Sequence, residues 1–255
     1  MALTFDDGPS PYNTPSVLQT LAQYGIKATF FLVGVNVQSF PALARRIAEE
    51  GHELGNHSVY HTPYTSSALA SQIGPNQAII RSATGVTPVV SRAPGLTKGG
   101  AILSACAYHG LYEAHTHMST FDWLAPRRSA SQLINDFVQH HRNGALPIYH
   151  DGGNFRPTPA ALPGIISYGL SIGYTFVTAS ELMASGRAQP LSGSYLTTAE
   201  LVDDSSVEPD YVDVCGYDAA AELAGILARD DLSLTAADRS RIVGALADLD
   251  AVSRD

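Results

Sequence analysis

A chain of 255 residues, 45% apolar and 15% charged, is long enough to bury one sizeable core, or one main domain with an appendage. No run approaches the ~18 apolar residues of a membrane span, and a formal charge of −9 with no basic stripe argues against nucleic acid as a partner. The acidity is uneven: residues 1–187 carry ten acidic against eleven basic side chains and residues 188–255 fourteen against four, so a nearly neutral body is followed by an acidic tail.

Short β-favouring runs alternate with longer helical patterns. Strands are expected at Ala2–Phe5, Ala28–Val33, His52–Gly55, Val89–Ser91, Leu111–Ala114, Leu146–Tyr149 and Thr175–Thr178. Helices are expected at Thr14–Tyr24, Pro41–Glu50, Ser66–Ala83, Gly99–His109, Ser131–His141 and Thr158–Ser171. Strands alternating with helices predict an α/β fold with a parallel sheet. About seven such units with no dinucleotide fingerprint point to a distorted (β/α) barrel, closed or partly closed, rather than an open sheet. Gly25, Gly51, Gly110, Gly144 and Gly173 follow successive helices, where a left-handed cap is expected.

The pattern changes after Leu182. Residues 188–255 read as a helical C-terminal extension with helices at Asp218–Arg229 and Thr235–Val252, the second opened by a Thr cap with Asp238 three residues on. Leu223, Ile226 and Leu227 in the first helix, and Ile242, Leu246 and Leu249 in the second, form apolar stripes that need a surface to cover. The barrel's flank or a second copy is the expected surface, with a lid over the barrel rim as the alternative; the oligomeric state is open. Cys106 reads as a buried small hydrophobe, and a bridge to Cys215 is possible on cysteine count alone. No signal segment is visible, which leaves a cytoplasmic location as the alternative; because the first strand begins at residue 2, the expected location is secreted or cell-envelope, with the signal segment lying outside this sequence.

The chemistry-bearing residues track this alternation. Asp6 and Asp7 in TFDDGP follow the first strand, His57 and His61 in HSVYH the third, Arg92 in RAPG the fourth, and Asp122 and Trp123 in FDW the fifth. His150 and Asp151 in YHDGG close the sixth, and all emerge at the C-terminal rim, where barrel enzymes assemble their sites. Carboxylates in an Asp-Gly-Pro sequence are commonly turn or cap residues, and a lone H-x-x-x-H is weak. The combination is stronger. Two histidines four apart share one face of a helical turn, and with one carboxylate they make a catalytic metal site, most naturally zinc. The other carboxylate is then left to act as a base.

TFDDGP, HSVYH, RAPG, FDW and YHDG, in this order and at these intervals, resemble the five motifs of the polysaccharide deacetylases, the NodB-type carbohydrate esterases of family 4. The resemblance runs from about Ala2 to Leu182, includes the closing GYTFVTASEL, which resembles the last strand and helix of such domains, and stops short of residues 188–255. It implies a metal-dependent hydrolase that removes acetyl groups from an acetylated carbohydrate. Asp7, His57 and His61 would hold one divalent ion, zinc or in its place cobalt, and Asp6 would be the general base on the attacking water. His150 would protonate the leaving amine or alcohol, the Gly95 N–H would stabilise the oxyanion, Arg92 would fix Asp6, and Asp122 would orient His150 and raise its pKa. Trp123 and Ile148 would wall the acetyl pocket.

The sequence departs from the family pattern twice. The third motif often reads Arg-Pro-Pro-Tyr, whereas Arg92 is followed by Ala93-Pro94-Gly95, so that aromatic platform for a sugar ring is missing; and Ser119 stands where an Asp usually precedes the Asp-Trp pair. Both bear on substrate preference. His115 and His117 alternate and read as polar residues near a strand end, His140 and His141 as dipole partners closing a helix, and Tyr12, Tyr60 and Tyr64 as rim candidates. N-acetylated sugar is the leading substrate class and O-acetylated xylan the alternative. A non-catalytic carbohydrate-binding relative should have lost a ligand, base or acid, and all five are present; a serine hydrolase lacks its G-x-S-x-G elbow.

Overall fold

The computed structural model describes residues 1–62, 64–116, 118–124 and 128–186. Seven parallel strands form one sheet: β1 (Thr4–Asp6), β2 (Thr29–Leu32), β3 (Glu53–Asn56), β4 (Val90–Ser91), β5 (Tyr112–Glu113), β6 (Met118–Ser119) and β7 (Pro147–His150), in the order β5-β4-β3-β2-β1-β7-β6. The helices are α1 (Thr14–Tyr24), α2 (Gly34–Ser39), α3 (Pro41–Glu49), α4 (Ser66–Thr84), α5 (Gly100–Tyr108), α6 (Ala130–His140), α7 (Thr158–Ser171) and α8 (Ala179–Ala184).

The two edge strands are joined by only residues 114–117. Five Cα steps of 3.8 Å span at most ~19 Å, whereas the edges of a flat seven-stranded sheet lie about 29 Å apart at ~4.8 Å per strand. The sheet must therefore curl. Side chains stitch the crossing: Arg92 Nε donates to the Ala114 carbonyl at 2.9 Å and Thr116 Oγ1 to the Leu146 carbonyl at 2.6 Å.

Strand alternation sorts the apolar residues into two layers. Leu3, Phe5, Phe30, Leu54 and Tyr149 face outward and pack under helices through Leu18, Ile47, Ile80, Phe137 and Ile165. Ala2, Phe31, Val90, Ala114 and Leu146 face inward and are closed off by Ala179 and Leu182 of α8. A capping box at Thr178 and Glu181 opens α8. The inner plug sits largely toward the N-terminal ends of the strands, which leaves their C-terminal ends to polar side chains.

Expectation and structure differ in three places. Thr175–Thr178 is not a strand of the sheet: Met1 N–H to the Thr175 carbonyl and Val177 N–H to the Met1 carbonyl make one parallel rung, after which β2 takes that edge of β1 through Thr29 N–H to the Leu3 carbonyl. The seventh strand is instead β6, too short to register as a β-favouring run, so Asp122 follows it and not β5. The third difference is α2, whose six residues carry too little periodicity to mark a helix in the sequence.

No helix among the described residues is long and apolar enough to cross a membrane. Cys106 is buried, and burial together with the Glu113 charge pushes its thiol up to about 12, an unreactive group as expected. The expected tail helices, their apolar stripes and Cys215 lie outside the described residues.

Candidate active site and metal centre

β1 runs between β2 and β7, which sets Asp6 opposite Phe31 and His150. Thr4 and Asp6 face the interior of the barrel, with Ile148 and His150 on the same face of β7. Beneath them lies Arg92, 1% exposed and the largest fully buried side chain among the described residues. Its Nη1 donates to Asp6 Oδ1 and Thr4 Oγ1, both at 2.7 Å, and its Cζ sits 4.2 Å from the Phe31 ring centroid. Nε, Nη1 and one face of this buried guanidinium are occupied, which offsets part of the cost of burying it, while Nη2 is buried without a hydrogen-bond partner. Arg92 and Asp6 are thus in direct contact.

Past Asp6 the chain swings away. Asp7 adopts φ 70°, its carbonyl accepts from Asn36 Nδ2 at 2.7 Å, and Gly152 lies so close that a Cβ there would come within 2.3 Å of the Asp7 backbone. The swing points the two carboxylates at different partners. Asp7 Oδ1 is 3.2 Å from His57 Nε2 and 3.0 Å from His61 Nε2. The two histidines do not share a helical turn, as their spacing suggested: they lie on a loop in which Ser58 and His61 take φ 64° and 66°, and the loop brings their ring centroids to 5.1 Å. Residues of α4 hold that loop. Gln72 Oε1 accepts from the Val59 and Tyr60 N–H groups, and Asn76 Nδ2 donates to Asn56 Oδ1, which in turn accepts from Ser58 N–H.

The donor set fits a divalent cation. Ligand atoms of Asp7, His57 and His61 all lie within 4.8 Å of one another. His57 Nδ1 is 2.7 Å from the Arg92 carbonyl, which can only accept, so Nδ1 carries the proton and neutral His57 turns the Nε2 lone pair toward Asp7. Asp7 Oδ1 is itself buried and makes no hydrogen bond. Burial would raise the Asp7 carboxyl, but His61, His57 and His150 outweigh it and hold it well below the usual carboxylate range. Burial likewise opposes a charged His57, yet Asp6 and Asp7 raise its pKa. Both shifts mark a place that stabilises positive charge.

The last pair is tighter. Asp122 opens a single 3-10 turn, Asp122–Leu124; its Oδ1 is 2.7 Å from His150 Nδ1 and its Oδ2 accepts the His150 N–H at 2.7 Å and the Thr158 hydroxyl. Burial disfavours charge on both. Asp122 is nonetheless held below its ordinary value by His150, and His150 is lifted to about 9 by Asp122, Asp7 and Asp6. Its Nε2 lies 4.0 Å from Asp7 Oδ2, so the imidazole faces the same space as the Asp–His–His group.

Of the remaining expected residues, Trp123 adjoins Asp122 and its carbonyl accepts from Arg156 Nη1 at 2.9 Å. Ile148 is buried two residues below His150 on the same strand face. Gly95 lies in the Pro94–Leu96 turn with φ 59°, and the turn is steadied by Glu113 Oε1, which accepts the Ala93 N–H at 2.8 Å. His141 bonds Tyr174 at 2.7 Å and His140 bonds the Asp136 carbonyl, both outside the constellation; His117 lies outside the described residues. Sequence reasoning missed Gln72, Asn76, Thr158 and Glu113. Gln72 and Asn76 had left a signal, since they stand four apart on the helix face that buries Leu69, Ile73 and Ile80. Asp151 was placed at the rim without a role. It is buried, Thr14 Oγ1 donates to it at 2.5 Å, and burial with the Asp7 and Asp6 charges raises it to about 7.

Comparison with known proteins agrees with this geometry. The family model described as polysaccharide deacetylase matches residues 1–114. A peptidoglycan-N-acetylglucosamine deacetylase of Bacillus cereus is 35% identical over 189 residues, 72% of this chain and 87% of that protein. One from Listeria monocytogenes is 36% identical over 186 residues, 71% of this chain and 38% of that longer protein. A family 4 acetyl xylan esterase from Clostridium thermocellum, solved with a cobalt ion, superposes with a TM-score of 0.66 at 34% identity, covering 74% of this chain and 92% of that one. Order of motifs, curled parallel sheet, converging side chains and these similarities lead to one conclusion: the chain belongs to the polysaccharide deacetylases, the NodB-type family 4 carbohydrate esterases, hydrolases of acetylated carbohydrates.

Proposed function

We propose that the chain removes acetyl groups from N-acetylated sugars of a glycan such as peptidoglycan or a chitin oligosaccharide, with zinc at Asp7, His57 and His61. The observation that carries this reading is the division of two neighbouring carboxylates: Asp6 is clamped by Arg92 at 2.7 Å while Asp7 turns to two imidazole Nε2 atoms. Two imidazoles and one carboxylate suit zinc, with cobalt as a substitute. When bound, such a cation polarises the acetyl carbonyl and acidifies water.

The residues divide the rest of the work. Asp6, held in place by the Arg92 guanidinium at 2.7 Å, takes the proton of the attacking water. The Gly95 N–H donates to the carbonyl oxygen as it gains charge. His150, cationic because Asp122 stabilises its proton, gives that proton to the sugar nitrogen as the C–N bond breaks and acetate forms. Trp123 and Ile148 border the acetyl methyl. The similarity to an acetyl xylan esterase favours a second reading, O-acetyl ester hydrolysis by the same groups. A peptidoglycan substrate would place the protein at the cell envelope.

Acetate release from N-acetylglucosamine oligomers, peptidoglycan fragments and acetylated xylan tests both readings. About one metal equivalent is expected, with activity lost to chelator and restored by zinc or cobalt. Full activity in chelator by metal-free protein would overturn the mechanism.

A further inference from the structure

The third motif lacks its aromatic, and the structure shows a ring beside that position all the same. Tyr64, on the loop that carries His61, packs on Gly95: a Cβ built on Gly95 would lie 3.1 Å from Tyr64 Cδ1 and 3.3 Å from Cε1. Gly95 also takes φ 59°, so a side chain there is opposed twice, by the backbone and by the ring. At its other end the Tyr64 hydroxyl lies 3.1 Å from His61 Nδ1, and the two rings meet edge to face at 88° with centroids 5.5 Å apart. The ring therefore bridges a proposed metal ligand and the turn that bears the proposed oxyanion donor. It still leaves 40% of its surface exposed.

From this we infer that Tyr64 is the sugar platform of this chain, a specificity-determining residue whose ring packs against the apolar face of the pyranose next to the acetyl group under attack. The inference rests on the deacetylase reading given above. A pyranose presents C–H groups on one face and hydroxyls around its edge, which suits a rigid ring with an apolar body and a polar tip. Gly95 and Tyr64 form one device: glycine makes room for a ring delivered from the neighbouring loop, and the hydroxyl anchored on His61 fixes where that ring stands. The aromatic lost from RAPG is supplied by HSVYHTPY.

The test uses the full chain with Tyr64→Ala and Tyr64→Phe, each also combined with Asp6→Asn so that binding is measured without turnover. The readouts are calorimetric Kd for an N-acetylglucosamine tetramer, KM and kcat for its deacetylation, and bound zinc. Tyr64→Ala should raise Kd and KM about tenfold, a loss of about 1.4 kcal/mol, and Tyr64→Phe, which keeps the ring, should restore most of both. Equal Kd and KM in wild type and Tyr64→Ala would overturn the inference. So would a loss in Tyr64→Phe as large as in Tyr64→Ala, or one accounted for by lost zinc, because the hydroxyl's hold on His61 would then be the whole role. If wild type neither binds nor deacetylates any acetylated glycan, the deacetylase reading itself fails, an outcome distinct from an active wild type that is indifferent to Tyr64.

Discussion

Asp122→Asn removes one charge and leaves the shape of the site nearly unchanged. Asp122 Oδ2 accepts the His150 N–H and the Thr158 hydroxyl, so the variant's amide oxygen must take that side and its NH2 must face His150 Nδ1. A donor pointed at Nδ1 demands a lone pair there and opposes the imidazolium. With a pKa of about 9, roughly 97% of His150 carries its proton at pH 7.5; at the ordinary 6.5 about 9% does. The acid form should therefore fall about tenfold, ~1.4 kcal/mol, with Asp7 and Asp6 alone left to oppose burial. The assay is kcat/KM against pH for an N-acetylated oligosaccharide and for an activated aryl acetate. A cation on Asp7 cancels part of that carboxylate's pull, so the wild-type basic limb should lie somewhat below 9; Asp122→Asn should move it down by about two units. The amide should suffer most, since an amine needs a proton to leave and an activated phenolate does not. A basic limb that stays in place, or an equal loss on both substrates, would refute the assignment of His150 as an acid tuned by Asp122.

Asp6→Asn and Asp7→Asn should separate the two acids: the first should keep zinc and lose on the order of 10²–10⁴ in turnover, the second should weaken zinc binding itself, and normal turnover in Asp6→Asn would remove Asp6 as base. Asp151 carries the opposite sign from an ordinary carboxylate. Its folded pKa of about 7 exceeds the ordinary value, so the folded state binds the extra proton and stability falls as pH rises from about 4 to about 7. In metal-free protein Asp151→Asn should thus raise Tm by a few degrees at pH 8 and leave it unchanged near pH 4; a gain at both, or at neither, would contradict the shift.

How much of this was legible depends on the range over which each signal acts. The α/β alternation, the bounds of α1 and α7 and the five motifs are local: each is written in side-chain periodicity, a turn residue or a short spacing, and one strand's length of chain suffices to state it. The opening pair of carboxylates could be read as one ligand and one base once the two histidines were joined to it, because two imidazoles and one carboxylate suffice for a metal site and leave the second acid free. What the chain could not state locally is where pairing stops and which faces meet. The rung at Met1 ends because β2 claims the same edge of β1, and β6 exists because β7 offers it an edge, though neither Met118 nor Ser119 favours a strand. His57 and His61 meet through a loop pinned by Gln72 and Asn56, not through the helical turn that a spacing of four suggests. Tyr64 lies on Gly95 because β3 and β4 pair as parallel neighbours, which sets the loops at their C-terminal ends side by side, a contact between residues 31 positions apart that no local pattern encodes. Spacing thus determined the chemistry present in this protein, whereas closure of the barrel decided which of those groups share one space.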